Sequence, residues 1–456
     1  MTGLDEVPAR PGSGASSTRA APGMDLAPPV TPNLASARPV PGASRVGRNI
    51  VETLVFRGLS TPIALLLVVV QSRFLEPEGR GTFVLAVVTV TIVSRLLGQL
   101  GFAVTNRLRE GEADVRALVQ RALASALLFG SIGMLVVVGW SAITGDIDAG
   151  TAAIAAIGLI PNVVWQSVSG VLLGLARVRF WNYVQLLSPV ATLAGMLVLV
   201  VALDGGVRAA LVAWAAANAL TAAFALAGTR DLWLPLRLPV FDRHARSLLQ
   251  LALVLGAVQV VNLVSYRIEL FILRAFESLD DVGVYSIAMQ AAESMWLLPA
   301  AIATAVTAPA VHATEEDAAG LIAHAVGRSL LLTAGVAVVV GLAAPFVIPL
   351  VLGEEFSGAA WPLVLLLPGI VAYAPVTILT VYLSLRRGRP RLSLAVSVLS
   401  LLVTTAGSLL LIPELGRRGA AISSTLGYVA GGLLAWIFFV RLAGLGPTGR
   451  RRVSLG

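Results

Sequence analysis

The sequence predicts an all-α polytopic membrane protein with about 12 transmembrane helices, in two six-helix lobes related by a parallel repeat. Three observations predict this fold. Hydrophobic residues make up 57% of the 456 residues and charged residues 13%, about half the charged fraction of a soluble domain. Several apolar runs reach the ~20 residues that a helix needs to cross a bilayer. Short motifs in the first half of the chain also return, in the same order, in the second half.

The N-terminal segment, residues 1–48, is predicted to be a disordered cytoplasmic tail. It is rich in Pro, Ala, Gly and Ser, so it cannot bury enough apolar surface to fold alone, and it lacks the apolar core of a signal peptide. Twelve apolar segments follow. We place them near residues 50–72, 81–105, 117–142, 151–175, 182–203, 207–229, 247–274, 283–309, 325–352, 361–385, 391–412 and 418–441.

The longest connection between these segments, near 230–246, is the natural boundary between the lobes. It contains Pro235 and Pro239. We therefore predict an N-lobe at 49–241 with spans 1 to 6, and a C-lobe at 242–441 with spans 7 to 12. Residues 442–456 form a short basic cytoplasmic tail in this scheme.

The placement of arginine predicts how the spans are oriented. All 33 basic residues are Arg. If the N-terminus lies inside, 24 of them fall in inside segments, six fall outside and three lie within spans. This excess is the positive-inside pattern, so both termini are expected in the cytoplasm. The net charge of +8 then reflects topology and not nucleic-acid binding.

The internal repeat is clearest after the first and seventh spans. Residues 73–86 read RFLEPEGRGTFVLA, and residues 274–288 read RAFESLDDVGVYSIA. Each copy begins with Arg, has Glu three positions later, and resumes with Gly and an aromatic residue two positions on. Echoes also follow the fourth and tenth spans and precede the sixth and twelfth. Since six spans is an even number, a pseudo-twofold axis along the membrane normal should relate the lobes. Each motif is expected to be a short external turn.

Ionisable groups inside the spans are the candidate functional residues, because a charge at a helix centre costs roughly 2.5–3.5 kcal/mol and normally faces a polar interior. These groups are Arg57, Arg95, Arg267, Glu269 and Glu293. The arginines are expected to bind an anionic headgroup, since guanidinium pairs bidentately with phosphate oxygens. A buried Glu can be neutralised by H+ or Na+, so the two glutamates are candidate ion-coupling residues. Ion pairs that only hold helices together remain an alternative.

Polar side chains at helical spacing extend this predicted site. One stripe in the seventh span steps by 3, 4 and 3 residues, and one in the eighth steps by 4 and 3. The first comprises Gln259, Asn262, Tyr266 and Glu269, and the second Ser286, Gln290 and Glu293. Gln259, Asn262, Tyr266 and Gln290 are therefore added to the headgroup site. Arg267 points roughly 160° away from Glu269 on a helical wheel, so one of the two is expected to face a neighbouring helix.

The sequence indicates no metal site and no cofactor. Cysteine is absent, and His244, His312 and His324 lack metal-ligand spacing. The motif Asp146-Ile147-Asp148 could bind a metal–nucleotide or metal–diphosphate. A lone pair of this kind in a short loop beside Gly is more typical of a turn, which is our interpretation.

Residues 73–83 resemble the R-x-L-G-P-E-x-x-G-x-F/Y pattern of the polysaccharide flippases in the multidrug/oligosaccharidyl-lipid/polysaccharide exporter superfamily. Leu100-Gly101-Phe102 is similar to the Leu-Gly-Leu/Phe that ends the second span there. Glu76 departs from the pattern, where Gly is usual. The resemblance implies a V-shaped, alternating-access transporter and not an enzyme. It would flip undecaprenyl-diphosphate-linked oligosaccharide across a bacterial plasma membrane, beside the glycosyltransferases and polymerase of its pathway.

Three alternatives stay open at this point. A multidrug or cation antiporter of the same superfamily would favour a carboxylate-dominated cavity, against which three buried arginines argue. A membrane glycosyltransferase or glycan polymerase usually has large external loops, whereas these are about ten residues or fewer. A lipid II flippase usually has fourteen spans, and we count twelve.

Overall fold

The structure is a computed structural model that describes residues 43–109, 114–145, 147–235 and 243–444. Contacts separate Met1–Arg48 from one compact unit, Asn49–Gly456. Helices make up the described part of that unit, which contains no strand. Most of both predicted tails, residues 1–42 and 445–456, lies outside the described residues, as does Asp146.

The described part of the N-lobe contains eight α-helices, of which α6 continues as a π-helix over Leu197–Ala202. They are α1 (Ala43–Leu97), α2 (Leu100–Arg109), α3 (Val115–Thr144), α4 (Ala149–Ile157), α5 (Leu159–Gly174), α6 (Val178–Met196), α7 (Gly206–Ala227) and α8 (Arg230–Trp233).

The C-lobe is built from a second set of eight helices. A 3-10 turn at Glu354–Ala359 and a π-helix at Val381–Arg386 flank the fourteenth helix. The set comprises α9 (Arg243–Val264), α10 (Ile268–Phe276), α11 (Leu279–Ser294), α12 (Leu297–His312), α13 (Glu315–Leu352), α14 (Ala360–Thr380), α15 (Pro390–Leu415) and α16 (Arg417–Ala443).

The described residues contain 11 helical segments long and apolar enough to cross a membrane. One of them, Gly58–Leu108, has 51 residues, which is roughly 75 Å of helix and far more than one crossing needs. It holds the first two predicted spans. The prediction of an all-α, polytopic and two-lobed membrane fold is therefore confirmed.

The first copy of the repeated motif is not a loop. Residues 73–86 are helical except for a kink at Glu76. The chain nevertheless bends back there. Arg80 Nη1 lies 3.5 Å from the carbonyl oxygen of Val68, whereas a straight helix would separate the two residues by roughly 18 Å. The predicted turn is therefore present, and a single non-helical residue makes it in place of a loop.

Glu76 holds this kink in a strained backbone conformation. Its φ is 56° and its ψ is 173°, a region that only Gly adopts without strain. This is the motif position at which the flippases usually have Gly. The departure seen in the sequence therefore has a physical cost. Glu277, at the matching place in the second copy, has φ −130° and is unstrained.

The seventh predicted span is broken into two helices. Its first part, α9, ends at Val264, and its second part, α10, begins at Ile268. Helix α9 packs against α2, α3 and α15, whereas α10 packs against α11, α15 and α16. The continuous polar stripe predicted from helical spacing is therefore interrupted, because Tyr266 lies in the turn and Arg267 caps α10.

A second echo of the repeat makes equivalent contacts in both lobes. Arg177, after the fourth span, pairs at 2.5 Å with Asp231, just beyond the sixth. The guanidinium holds the pKa of that carboxyl below its usual range. Arg387, after the tenth span, donates at 2.6 Å to the carbonyl oxygen of Leu442, at the end of the twelfth. Equivalent arginines thus tie equivalent helix ends together.

Asp148 supports the interpretation of its motif as a turn. Its carboxylate accepts from the backbone amide of Thr151 at 3.0 Å and so caps α4. Arg208 Nη2 also lies 3.0 Å away. The Thr151 amide and hydroxyl, followed by the Gly150 amide and Arg208, lower the pKa of Asp148 to about 2. Stability from this cap is therefore complete above the unfolded pKa and is lost only as the pH falls through about 2.

We predict that Glu76→Gly raises the unfolding free energy by roughly 1–3 kcal/mol, because it relieves the strained backbone. The measurement is thermal unfolding of the purified protein in detergent. Glu76→Ala removes the same carboxylate but keeps the strain, so it should give no such gain. Glu277→Gly, at the unstrained position, should lower stability. Equal effects of the Gly and Ala changes at Glu76 would contradict the prediction.

Candidate functional site

The break in the seventh span places Arg267 beside Glu293 on α11. Arg267 Nη1 lies 2.5 Å from Glu293 Oε1, and Nη2 lies 2.8 Å from Oε2. This is a bidentate ion pair, and its side chains are only 20% and 18% exposed. Both residues belong to the C-lobe. The ion pair therefore lies within one lobe.

Glu269 lies next to this pair and is fully buried. Neither carboxylate oxygen has a hydrogen-bond partner among the described residues. The hydroxyl-bearing side chains of Tyr285, Ser424 and Tyr428 surround it, although Ser424 forms no hydrogen bond of ordinary geometry with it. An isolated ionised carboxylate is very unfavourable in such surroundings, so Glu269 needs a proton or a cation.

Four aromatic rings form a wall beside these charges. Their centroids lie 5.3 to 6.1 Å apart, and the members are Tyr266, Trp296, Tyr373 and Tyr428. The Tyr266 hydroxyl donates to that of Tyr373 at 3.1 Å. Rings packed in this way exclude water, and a low local dielectric strengthens the neighbouring ion pair.

Arg80 is a second buried arginine, and it joins the two lobes. Its side chain is 0% exposed. Nη1 donates to Gln71 Oε1 of its own lobe, Nε to Ser286 Oγ, and Nη2 to Gln290 Oε1, each at 2.9 Å. All three partners are neutral. We call these four residues the Arg80 cluster. The sequence placed Arg80 in an external turn, whereas in the structure it lies in α1 just after the kink at Glu76 and is buried.

The two copies of the repeated motif meet next to the Arg80 cluster. A Cβ on Gly81 would lie 2.0 Å from the carbonyl oxygen of Leu279, and one on Gly283 would lie 1.9 Å from that of Pro77. The two contacts are reciprocal, as a pseudo-twofold axis requires. Only glycine permits this backbone approach. We call this end of the spans the motif end.

The lobes also touch at the opposite end of the spans. Arg107 of α2 donates to Ser247 of α9. Further along α9, a Cβ on Gly256 would lie 2.1 Å from the carbonyl oxygen of Leu96, near the end of α1. We call this the opposite end. The charged groups of the C-lobe therefore lie between two separate interlobe contacts.

The remaining predicted site residues are dispersed. Gln259 and Asn262 are half-buried on α9, and Arg95 is exposed on the second span. Gln290 belongs to the Arg80 cluster. Arg57 falls in α1, but its side chain lies outside the described residues. The structure thus brings together Tyr266, Arg267, Glu269 and Glu293.

The N-lobe contains a polar network that sequence reasoning missed. Asn162 Nδ2 and Trp165 Nε1 donate to Asn218 Oδ1 at 2.7 and 2.9 Å, and Gln166 donates to Asn162. All four side chains are neutral, in contrast to the charged C-lobe group.

The sequence analysis also missed Arg80, because it stands in a Gly-rich segment typical of loops. The spacing of Ser286 and Gln290 was the available signal, since that polar face requires a donor.

The chain matches, over residues 46–315, the family described as "Polysaccharide biosynthesis protein". This match covers more than half of the sequence. The chain belongs to the polysaccharide biosynthesis protein family. No curated protein sequence matches it.

Solved structures of membrane transporters share the fold of this polysaccharide biosynthesis protein. A lipid II flippase, MurJ, in an inward closed conformation has a TM-score of 0.72 at 10% identity, covering 85% of this chain and 87% of that one. An inward-facing multidrug resistance MATE transporter of the MOP superfamily has 0.68 at 15%, covering 84% and 94%. A MOP transporter from Pyrococcus furiosus has 0.63 at 16%, covering 88% and 95%. These identities show the fold alone.

We predict that Arg267→Gln lowers the unfolding free energy by about 1–3 kcal/mol, because it leaves the Glu293 carboxylate buried without a partner. Adding Glu293→Gln should recover part of that loss, as measured by thermal unfolding of all three variants. Arg208→Gln breaks the exposed pair with Asp148 and should cost less than about 1 kcal/mol. Additive losses in the double variant would show that the two side chains are not coupled.

We also predict that Gly81→Val separates the lobes at the motif end, because its side chain cannot fit against the carbonyl of Leu279. Spin labels at Phe74→Cys and Phe276→Cys, both exposed and in a chain without native cysteine, report the distance by pulsed electron resonance. The distance distribution should broaden toward longer values. Gly139→Val is the control, since nothing lies near Gly139, and should leave the distribution unchanged.

Proposed function

We propose that this membrane transporter flips a polyprenyl-diphosphate-linked oligosaccharide from the inner to the outer leaflet by alternating access. The observation that carries this proposal is the Arg267 guanidinium, buried in the membrane interior between two interlobe contacts. A family linked to polysaccharide biosynthesis needs to move an anionic headgroup through a bilayer. A guanidinium is charged at every working pH and matches phosphate oxygens bidentately.

The headgroup site that we propose is centred on Arg267. Tyr266 flanks it, and the half-buried amides of Gln259 and Asn262 lie on the preceding helix, within reach of sugar hydroxyls. Arg95 is exposed on the second span and would supply a cation from the N-lobe. We keep Arg57 and Gln290 in the proposed site on sequence grounds. Amide and aromatic side chains suit a glycan that arrives attached to a diphosphate.

The Arg267–Glu293 pair suggests how anion binding is linked to a coupling ion. A diphosphate that takes Arg267 must displace the Glu293 carboxylate. Glu293 is then left near Glu269, and two unpaired carboxylates in a buried site favour uptake of H+ or Na+. Release of the headgroup restores the pair and lets the ion leave. Glu269 and Glu293 would thus couple ion movement to substrate movement.

The two interlobe contacts would serve as the gates of the cycle. Closure at the motif end keeps the outer side shut, and closure at the opposite end keeps the inner side shut. This orientation places both termini in the cytoplasm of a bacterial plasma membrane, as the arginine distribution favours. The glycosyltransferases and polymerase of the same pathway would supply and use the lipid-linked glycan.

A multidrug or cation antiporter is the second candidate. The buried, unpartnered Glu269 favours it, because a neutralised carboxylate can exchange H+ or Na+ for a cationic drug. The bidentate Arg267–Glu293 pair favours the flippase, since an arginine in the cavity repels cationic substrates.

We predict that deletion of the gene traps lipid-linked oligosaccharide in the inner leaflet, and that the wild-type gene reverses this. Arg57→Ala, Arg95→Ala and Arg267→Ala should each lower export at least about tenfold, because each removes a charge-assisted hydrogen bond to phosphate. Mass spectrometry measures the accumulated precursor. The leaflet that holds the precursor is determined from its accessibility at the outer face of the membrane. Arg418→Ala, exposed in the first turn of α16 and absent from the proposed site, is the control.

Membrane insertion should be unchanged in every variant, as judged by protein recovered from membranes. Normal surface glycan without trapped precursor in the deletion strain would remove the flippase proposal. Drug sensitivity in that strain would favour the antiporter. Normal export by all three arginine variants would overturn the cationic site.

A further inference from the structure

The Arg80 cluster holds a charge for which the fold provides no counter-ion. Arg80 is wholly buried, and among the described residues its guanidinium contacts no carboxylate. Its partners are one hydroxyl, two amide oxygens and, at 3.5 Å, a backbone carbonyl. Burying a cation against neutral partners is expensive. A neutral side chain such as Gln could close the same contact at lower cost, so the charge itself requires an explanation.

Arg80 forms three hydrogen bonds of 2.9 Å, and the edge of the guanidinium that donates determines which lobe supplies the acceptor. Nη1 donates to Gln71, which belongs to the same lobe as Arg80. Nε and Nη2 donate to Ser286 and Gln290, which both belong to the other lobe. The Nε–Nη2 edge is one of the forks with which arginine grips phosphate or carboxylate bidentately. The whole of that edge is therefore occupied by the opposite lobe.

Separation of the lobes at the motif end would free this edge in one step. Ser286 and Gln290 would leave together on α11. Nη1 would remain anchored to Gln71, so the guanidinium would keep its orientation. The result is a pre-oriented, unpaired bidentate donor at the outer end of the pathway. Its favoured ligand is an anion with two acceptor oxygens on one centre.

We propose that Arg80 is a second diphosphate-binding residue, hidden while the motif end is closed and available when it opens. This inference rests on the proposed function, because it assumes that the lobes separate there during transport. Arg267 would hold the diphosphate in the membrane interior, and Arg80 would receive it near the outer surface. Because the anion binds only the open form, it would also hold that form open until release.

The test uses the full-length protein in neutral-lipid nanodiscs, with spin labels at Phe74→Cys and Phe276→Cys. Inorganic pyrophosphate is titrated, and the readout is the increase in the long-distance population relative to each variant's own baseline. In the parent protein, pyrophosphate should raise that population. In Arg80→Gln, the same increase should need at least about tenfold more pyrophosphate. Arg80→Lys, which keeps the charge but lacks the fork, should fall between them.

Arg73→Gln is the matched control. Arg73 also joins the lobes at this end, through donation to the carbonyl oxygens of Val351 and Leu350 at 2.9 and 2.5 Å. Its loss should shift the baseline while leaving the response to pyrophosphate intact. Farnesyl diphosphate is titrated in parallel. A response at lower concentration than pyrophosphate identifies a lipid-linked headgroup as the ligand, and an equal response identifies the free anion.

Each outcome separates this inference from the proposed function. A response of Arg80→Gln at the parent's pyrophosphate concentration would overturn the role of Arg80 and leave the flippase proposal standing. A response lost only in Arg267→Gln would do the same. If neither diphosphate changes the distance in any variant, and calorimetry detects no binding, the anionic substrate class and the Arg80 site both fall. Should Arg80→Gln not fold, the Arg80→Lys titration decides, since an unchanged response there contradicts the bidentate site.

Discussion

The structure depends on how a charge is kept inside a membrane. Arginine cannot give up its charge, so every guanidinium in the spans requires acceptors that face it. Arg267 meets this requirement with a carboxylate and Arg80 with neutral oxygens supplied largely by the other lobe. The first solution belongs to one lobe and survives any movement between lobes. The second is lost when they part, so the two arginines divide the interior into a permanent and a conditional polar site.

The repeat explains why the conditional site lies where it does. Gly81 and Gly283 occupy equivalent positions in two copies of one motif, and a pseudo-twofold axis brings equivalent positions face to face. Backbones then approach too closely for any side chain, which places Arg80 within reach of Ser286 and Gln290. The copies differ at the charge itself, because Val282 stands where the first copy has Arg80. The symmetry of the repeat thus produces the contact between the lobes, and the presence of Arg in only one copy gives that contact its charge.

Much of the fold could be read from the sequence, since apolar runs of spanning length fix helices almost regardless of detail. The pairing of site residues could not. Helical spacing assumed an unbroken seventh span, and three non-helical residues rotated Arg267 toward Glu293. The Gly and charged residues near 73–86 form a sequence pattern typical of a loop, yet only Glu76 is non-helical in the structure. The family match linked the chain to polysaccharide biosynthesis, and solved membrane transporters share its fold. Which side chains meet depended on tertiary contacts that no local pattern contains.

The broken seventh span also changes where a moving part of this molecule can begin. Its first segment packs against α2 and α3 of the N-lobe as well as α15 of the C-lobe, and its second segment packs against α11, α15 and α16. If the lobes rocked as rigid bodies about the surface connection near 230–246, the movement would break one of those interfaces. Residues 265–267 offer a joint at which both interfaces can persist. Such a hinge would end at Arg267, which moves with α10, so the ion pair with Glu293 would persist while α9 changes its direction.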